Sequence, residues 1–322
     1  MEQSTSTAWT IFGVIITIIF LFIIGLLFLR WFIKNDSRFS SREFLSRQVT
    51  NKLMIKGLRP RIQESEKKPG EWNEFHPTFS PHLSVPYVFI KGCAGRDDSR
   101  GDGKNDSNSE EKYLIICHGA AHGNEYCYKE WREISKDYNI SIICVEYPGF
   151  GGRKNELGSE DVLYISYPNE VIDLVENHLH LDWSKIYILG QCLGAPIAIR
   201  LATSYPYIAS NIRGLYLTKP FSSLHNTFQS LPPTISDFMR SNVPDLYTTQ
   251  EKWLKKIVAP VTCIQGEDDS MCKVEMTKNS LLRLMTNSPK INFYTLPHHG
   301  HTVLMKFMLA YVKKKYNVQH FS

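Results

Sequence analysis

The fold is decided by the stretch Lys-Ile-Tyr-Ile-Leu-Gly-Gln-Cys-Leu-Gly-Ala-Pro-Ile-Ala at residues 185–198. Its first half is a short apolar run rich in β-branched residues, which predicts a buried strand. A Gly-x-Cys-x-Gly turn follows, and the apolar residues after it have helical spacing. A chain that passes from strand to helix so quickly needs a tight turn, where a Cβ at Gly190 or Gly194 would collide with a neighbouring element. The sequence therefore predicts that the Cys192 side chain lies at the end of a strand, beside a helix N-terminus.

The Gly-x-Cys-x-Gly pentapeptide alone allows two interpretations of this turn. The first is a nucleophile elbow, a strand-turn-helix that exposes a reactive side chain, with cysteine where serine is usual. The second is a structural glycine-rich turn that carries an inert buried thiol. The rest of the chain has to distinguish them.

The cysteines indicate the redox environment. The chain of 322 residues contains seven of them, an odd number with no Cys-x-x-Cys pair. Several lie within predicted core strands, where a free thiol behaves as a small apolar side chain. This pattern favours a reducing compartment over a disulfide framework.

An apolar segment at residues 8–32, with no charge before Arg30, follows a short N-terminal tail, residues 1–7. Its apolar part is long enough for a helix to cross the hydrocarbon core of a bilayer, which is about 30 Å thick. Glu2 is the only charge before Arg30, and neither a basic n-region nor a small-residue cleavage site is present. These features favour an uncleaved membrane anchor over a signal peptide.

Positive charge is concentrated after the apolar segment, in a juxtamembrane region at residues 33–83. The positive-inside tendency places the bulk of the chain in the cytosol, although Asn105-Asp106-Ser107 would be a glycosylation acceptor in a lumenal chain. Apolar residues alternate with the basic ones, as in a segment attracted to anionic lipid. A solvated linker helix is the alternative, and nucleic-acid binding is not expected because no binding motif accompanies the charge.

Residues 84–318 alternate strands and helices, and they include a surface insertion at residues 95–111 that is rich in Gly, Asp, Asn and Ser. Near-continuous apolar strands separated by helices predict an α/β domain with a mostly parallel, doubly wound sheet, preceded by one transmembrane helix. The predicted strands are Val85–Ile90, Tyr113–Cys117, Ile140–Val145, the strand before the Cys192 turn, Gly214–Thr218, Val261–Gln265 and Ile291–Leu296. The predicted helices are Tyr126–Ser135, Glu160–His178, Leu193–Thr203, Lys273–Met285 and Val303–Lys315.

Three chemically reactive residues follow predicted strands in the order Cys192, Asp269 and His301. In a parallel sheet the carboxyl ends of the strands meet at one edge, where sites form. Nucleophilic acyl chemistry needs a base beside the attacking atom and a third group that orients the base. We therefore expect Cys192 to be the nucleophile, His301 the general base and Asp269 the orienting acid.

Each of these assignments has an alternative. Asp269 could simply cap the following helix, and Asp268 is the reserve candidate for the acid. His299 is the reserve for the base, although it and His298 read as loop residues. No metal is expected, because no carboxylate or thiol falls at the usual ligand spacing from these histidines.

Five motifs together make the chain resemble a known superfamily: HGAAHGN, EYPGFGG, GQCLG, IQGEDD and the Gly-His of HHGH. Across about residues 84–316 the sequence is similar to the α/β-hydrolases, and most of all to the membrane-anchored abhydrolase-domain branch, which includes protein depalmitoylases and lysophospholipid lipases. The resemblance implies that the backbone N–H groups of Ala120 and Leu193 form the oxyanion hole. It implies no cofactor, and His118 is expected to brace the oxyanion loop.

The departure from the family is Cys192 in place of its serine. A few relatives of the fold, including dienelactone hydrolases, use cysteine at this position, and a thiol nucleophile forms a thioester acyl-enzyme that makes acyl exchange among thiols plausible. Residues 221–245 occupy the place of the family's lid and carry apolar side chains that would suit an acyl chain, or would equally suit packing on the sheet edge.

The resemblance thus implies a membrane-anchored hydrolase that acts on an acyl ester or thioester of a lipid or lipidated protein. The alternative is a catalytically silent hydrolase-fold protein that binds lipid or tethers a partner at a membrane.

Overall fold

The structure is a computed structural model that describes residues 78–79, 85–92, 110–120, 124–153, 155–156, 158–248, 250–281 and 291–321. The predicted membrane anchor at residues 8–32, most of the juxtamembrane region and most of the predicted insertion at residues 95–111 lie outside these ranges. Within them, the helices are all too short or too polar to cross a bilayer.

One sheet of eight strands forms the centre of the described domain, in the order β1-β2-β4-β3-β5-β6-β7-β8. The two pairs that involve β2 are antiparallel, and all other pairs are parallel. The strands are β1 Thr78–Phe79, β2 Pro86–Ile90, β3 Tyr113–Cys117, β4 Ser141–Val145, β5 Ile186–Gln191, β6 Gly214–Thr218, β7 Val261–Gly266 and β8 Ile291–Leu296. The predicted mostly parallel α/β fold is confirmed.

The central strands are apolar because helices cover both of their faces. Every residue of β3, β6 and β7 is buried. β3 pairs with two parallel neighbours, and its Tyr113 lies opposite both Ser141 of β4 and Ile186 of β5. Strands in this position cannot alternate apolar and polar residues, since neither face meets water.

The helices are α1 Asn124–Tyr138, α2 Tyr167–Asp173, α3 Gly194–Ala202, α4 Pro206–Asn211, α5 Leu224–Thr227, α6 Pro233–Asn242, α7 Gln250–Leu254, α8 Val274–Met276 and α9 Met305–Tyr316. Wider π-helical turns flank α2 on both sides, at Val162–Ser166 and Leu174–His178, and another, Thr277–Leu281, continues α8. One apolar cluster joins the sheet to α2 and α3, and a second joins it to α1 and α9. The sheet is therefore doubly wound, as its apolar strands require.

The structure departs from the predicted elements at several places. Strand β1 has no predicted counterpart and lies within the predicted juxtamembrane region. Residues 221–245, expected to be irregular, contain α5, a 3₁₀ turn at Phe228–Ser230 and α6. The helix predicted at 273–285 begins as α8 and its π turn, and its remainder lies beyond the described residues. Helices α4 and α7 have no counterpart in the sequence prediction, because both are only a turn or so long and carry little periodicity.

Candidate active site

Cys192 lies in a strained turn at the carboxyl end of β5. Its φ of 50° falls in the left-handed region, which residues with a side chain rarely adopt. Its N–H donates to the Thr218 carbonyl at 3.0 Å, which ties the turn to the end of the neighbouring strand β6. A Cβ on Gly190 would lie only 2.6 Å from the Ala195 Cα, and one on Gly194 would overlap the Cys117 carbonyl. The sharp turn predicted from the glycine spacing is present.

The structure brings the three predicted site residues together. His301 Nδ1 lies 2.9 Å and 3.0 Å from the two carboxylate oxygens of Asp269. A ring nitrogen of His301 lies within 4.8 Å of the Cys192 sulfur. Asp269 and His301 reach this point from turns after β7 and β8, which are parallel to β5 in the same sheet. The arrangement has the geometry of a nucleophile, a base and an orienting acid.

Backbone N–H groups fix the Asp269 carboxylate. Its Oδ1 accepts hydrogen bonds from the N–H groups of Met271 at 3.0 Å and Cys272 at 2.7 Å. The carboxylate is fully buried, while the His301 side chain remains 22% exposed. A buried carboxylate with these partners can orient an imidazole without turning toward solvent.

The reserve candidates lie elsewhere. The Asp268 side chain is exposed, and its backbone N–H donates to the His299 carbonyl at 3.0 Å. His299 Nδ1 is occupied by the Pro297 carbonyl at 2.6 Å. Next to it, His298 is exposed in a turn with a φ of 58°. It is Asp269, and not Asp268, whose carboxylate contacts His301.

The protonation of the site favours a charged pair of thiolate and imidazolium. The pKa of the Cys192 thiol is well below its ordinary value, because hydrogen bonds from Cys272 and His301 stabilise the thiolate against the cost of burial. Burial lowers the pKa of His301, but its hydrogen bonds to Asp269 and Cys192 outweigh this effect and raise the pKa to about 10. A lowered thiol pKa beside a raised imidazole pKa favours a negative sulfur and a positive ring.

The residue after Cys192 contributes a backbone donor to its sulfur. The Leu193 N–H donates a hydrogen bond that helps to lower the Cys192 pKa. Gly119 packs against the same turn, since a Cβ built on it would lie 3.7 Å from the Cys192 Cβ. Ala120 follows and is buried, whereas residues 121–123 are outside the described part of the chain. Of the two expected oxyanion donors, Leu193 directly follows Cys192, and Ala120 follows the glycine that packs against the Cys192 turn.

His118 holds the loop before Ala120. It is fully buried, its Nδ1 lies 2.9 Å from the Gly119 carbonyl, and its Nε2 lies 3.4 Å from the Glu146 carboxylate. Glu146 also accepts a hydrogen bond from the N–H of Asn124 at the start of α1. The Tyr147 ring packs against the His118 ring with centroids 4.1 Å apart. These contacts fit the expected role of His118 in bracing the oxyanion loop. Glu146 also takes part in them, although the sequence did not point to it.

Two further residues missed by sequence reasoning adjoin the site. Cys272, which is 2% exposed, hydrogen-bonds through its thiol to the Cys192 sulfur. Lys219 follows β6, is 2% exposed, and donates through Nζ to the Val303 carbonyl. Burial lowers the Lys219 pKa, while the charges of Cys192, Glu130 and Asp269 act in the opposite direction. Two features of the sequence could have indicated these residues. Cys272 lies three residues after Asp269, and Lys219 directly follows an apolar strand.

The same site contains three donors that a soft metal ion could use. One ligand atom each from Cys192, Cys272 and His301 lie within 4.8 Å of one another. Two sulfurs and one imidazole nitrogen are a ligand set that suits Zn²⁺. A metal there would occupy the sulfur on which nucleophilic chemistry depends, and the acyl chemistry proposed below has no step that requires one.

The predicted lid region has two kinds of apolar residues. Leu224 and Phe228 are buried, as expected for residues that pack on the sheet edge. Leu231, Ile235 and Phe238 are 37%, 49% and 40% exposed, and they precede or belong to α6. Part of the region therefore packs on the domain, and part presents an apolar surface.

Comparisons with known proteins agree with this arrangement at the level of the fold. A family model described as alpha/beta hydrolase fold matches residues 112–252. A protein of Acanthamoeba polyphaga mimivirus whose name assigns it to the alpha/beta hydrolases is 22% identical over 205 residues, which cover 63% of this chain and 72% of that protein. An uncharacterised protein of Mycobacterium tuberculosis is 24% identical over 188 residues, 58% of this chain and 62% of that protein.

Solved structures show the same fold. The crystal structure of an alpha-beta hydrolase from Vibrio vulnificus superposes with a TM-score of 0.53 and 21% identity, covering 64% of this chain and 73% of that one. The sheet order and the elbow after β5 agree with the pattern of that fold. From its sheet, its elbow and these comparisons, the described domain has the α/β-hydrolase fold.

Proposed function

We propose that the protein is an acyl hydrolase or acyl-thioesterase with a Cys192–His301–Asp269 triad. The observation that carries the proposal is the contact chain from the Cys192 sulfur through His301 to the buried Asp269 carboxylate. A second support is the depressed pKa of Cys192, which provides the thiolate that a cysteine nucleophile requires. No cofactor takes part in the proposed reaction.

In the first half-reaction the Cys192 thiolate attacks the carbonyl carbon of an acyl ester or thioester. The carbonyl oxygen becomes an oxyanion, which the N–H groups of Ala120 and Leu193 stabilise, and such donors are typically worth a few kcal/mol each. The His301 imidazolium gives its proton to the leaving alcohol or thiol as the intermediate collapses. Asp269 stabilises the positive ring before transfer and keeps its orientation afterwards.

In the second half-reaction neutral His301 removes a proton from the acyl acceptor, which attacks the acyl-Cys192 thioester. Water as acceptor gives hydrolysis, and a thiol gives acyl transfer. Because the acyl-enzyme is itself a thioester, a thioester substrate reaches it without a large change in free energy. We therefore expect thioesters to react faster than the corresponding oxygen esters.

The proposed substrate is a lipid or a lipidated protein at a membrane surface. The exposed apolar side chains of Leu231, Ile235 and Phe238 support it, because they offer a surface for an acyl chain. The apolar segment at residues 8–32 and the basic residues after it also support it, since together they predict a single-pass anchor with the catalytic domain in the cytosol.

The test is turnover of an acyl-thioester series by the full chain in detergent, with Cys192→Ala and His301→Ala as matched variants. We expect hydrolysis by the native protein, an acyl adduct on the Cys192 peptide by mass spectrometry, and loss of both in Cys192→Ala. His301→Ala should lower the rate by about a hundredfold or more. Hydrolysis that survives Cys192→Ala would overturn the assignment of the nucleophile.

The alternative of a silent, membrane-tethered binding protein makes a different prediction. It predicts that neither thioesters nor esters are turned over and that no acyl adduct forms on Cys192. The same experiment thus separates the two functions, because adduct formation is measured independently of the overall rate.

A further inference from the structure

Cys272 is a second thiol at the site for which the proposed reaction has no use. It lies in the turn after β7, where its own N–H holds the Asp269 carboxylate at 2.7 Å. Its sulfur lies within 4.8 Å of both the Cys192 sulfur and a His301 ring nitrogen. The other described cysteines are buried free thiols for which no contact with the Cys192 sulfur is recorded. Among the described cysteines, Cys272 is therefore the one placed to form a disulfide with Cys192.

The two sulfurs differ in the properties that decide oxidation. Cys192 is a partly exposed residue and its pKa is lowered, which favours the thiolate form that reacts with oxidants. Cys272 is 2% exposed, and its pKa is raised well above the ordinary value, first by its hydrogen bond to Cys192 and then by burial. An accessible low-pKa thiolate beside a second thiol is the arrangement found in redox-sensing cysteine pairs.

We propose that Cys192 and Cys272 form a reversible regulatory disulfide when the protein meets a hydroperoxide. The loss of activity that follows rests on the proposed function of Cys192, but the disulfide itself does not. The pair would protect the sulfur of Cys192 from irreversible oxidation and would switch the enzyme off at the same time.

The chemistry balances in two steps. The Cys192 thiolate attacks one oxygen of the hydroperoxide, an S–O bond forms as the O–O bond breaks, and the His301 imidazolium protonates the departing oxygen. This oxidises the sulfur to a sulfenic acid and reduces the peroxide to water or an alcohol. The Cys272 sulfur then attacks the Cys192 sulfur, its proton passes through His301 to the departing hydroxide, and water leaves. A thiol reductant reverses the result by thiol–disulfide exchange.

The inactivation has a structural reason beyond loss of the nucleophile. Because the Cys272 N–H binds Asp269, a bond that draws Cys272 toward Cys192 also acts on the carboxylate that orients His301. The switch therefore joins the nucleophile loop to the acid loop.

The experiment treats the purified full chain with a few equivalents of hydrogen peroxide and then with dithiothreitol. Peptide mapping should find Cys192 linked to Cys272, with the mass of the chain lowered by two hydrogens. Dithiothreitol should restore labelling of Cys192 by a thiol reagent. In Cys272→Ser, which keeps a hydrogen-bond donor but cannot form the bond, restored labelling should be lower by about tenfold or more, because Cys192 advances to sulfinic acid.

Cys263→Ala removes a buried thiol from β7, the strand just before this turn, and should respond like the native protein. Oxygenation of native Cys192 to sulfinic acid, with Cys272 recovered as a free thiol, would overturn the proposal. So would a Cys272→Ser variant that recovers as fully as the native chain. Both outcomes are read by mass and labelling, so a failure of the proposed function would not be mistaken for a failure of the disulfide.

Discussion

Asp269 is the most closely held residue of the site. Its carboxylate is fully buried, it accepts two backbone N–H groups, and it contacts His301 through both oxygens. Asp268, its neighbour in sequence, has an exposed side chain, and its backbone N–H donates a hydrogen bond to the His299 carbonyl. The difference between these two adjacent carboxylates is the sharpest residue-level test of the proposed triad.

Asp269→Asn is expected to lower thioester turnover by about a hundredfold or more, because an amide cannot stabilise the imidazolium or fix its tautomer. Asp268→Asn is the matched control and should leave turnover within about twofold, since an exposed carboxylate outside the site contributes little there. Rates of the two variants against the native protein check this prediction. Equal losses in both variants would contradict the role given to Asp269.

Residue-level reasoning from sequence predicted Cys192, Asp269 and His301 because each lies in a turn that follows a strand. It missed Cys272 and Lys219, since their importance depends on contacts across the fold. Cys272 matters because of a sulfur in the turn after another strand, and Lys219 because of a carbonyl in the loop before α9. Neither contact has a local sequence pattern.

The nucleophile turn is the element on which the site depends. Cys192 has a positive φ, a conformation that costs a residue with a side chain about 1 kcal/mol or more. The hydrogen bond from its N–H to the Thr218 carbonyl and the close packing of Gly190 and Gly194 hold it there. The strain keeps the sulfur at the strand end, where substrate can reach it.

Cys192→Gly is therefore expected to be more stable than Cys192→Ala, by about 1 kcal/mol, because glycine adopts a positive φ without a steric penalty. Urea unfolding of the two variants measures the difference. Cys263 in β7 provides the control pair, where glycine should be the less stable substitution because the position is an ordinary buried strand. A Cys192→Gly variant no more stable than Cys192→Ala would argue against the strained turn.

At the level of elements, the sequence predicted the strands more accurately than the helices around the lid region. The strand Tyr113–Cys117 was predicted to the residue, since a short apolar run between polar turns leaves little choice. Helix α6 was not predicted, because Pro232 and Pro233 and several small polar residues hide its start.

At the scale of the molecule, the charge and hydropathy of the chain predict attachment to a membrane. The described domain has no helix suited to cross one, and the predicted anchor at residues 8–32 lies outside the described residues. The prediction therefore depends on the apolar segment and the basic residues that follow it.

The full chain is expected to remain in the membrane pellet after alkaline carbonate extraction. The double variant Ile19→Asp and Phe22→Asp should shift it to the supernatant, because each charge at the centre of a span costs about 3 kcal/mol. Exchanges of the same type on the domain surface, such as Phe307→Asp, serve as the control and should leave it in the pellet. Release of the native chain by carbonate would contradict an integral anchor.

The central claim is that Cys192 is held as a thiolate against the His301 imidazolium. The direct measurement is the rate of alkylation of Cys192 by iodoacetamide across pH, followed on its own peptide by mass spectrometry. We predict a midpoint well below 9.0, the ordinary value for a thiol, since the thiolate persists as pH falls to its lowered pKa. The midpoint should move upward in His301→Gln, which removes the positive partner. A native midpoint at or above 9.0, unchanged in His301→Gln, would contradict the account.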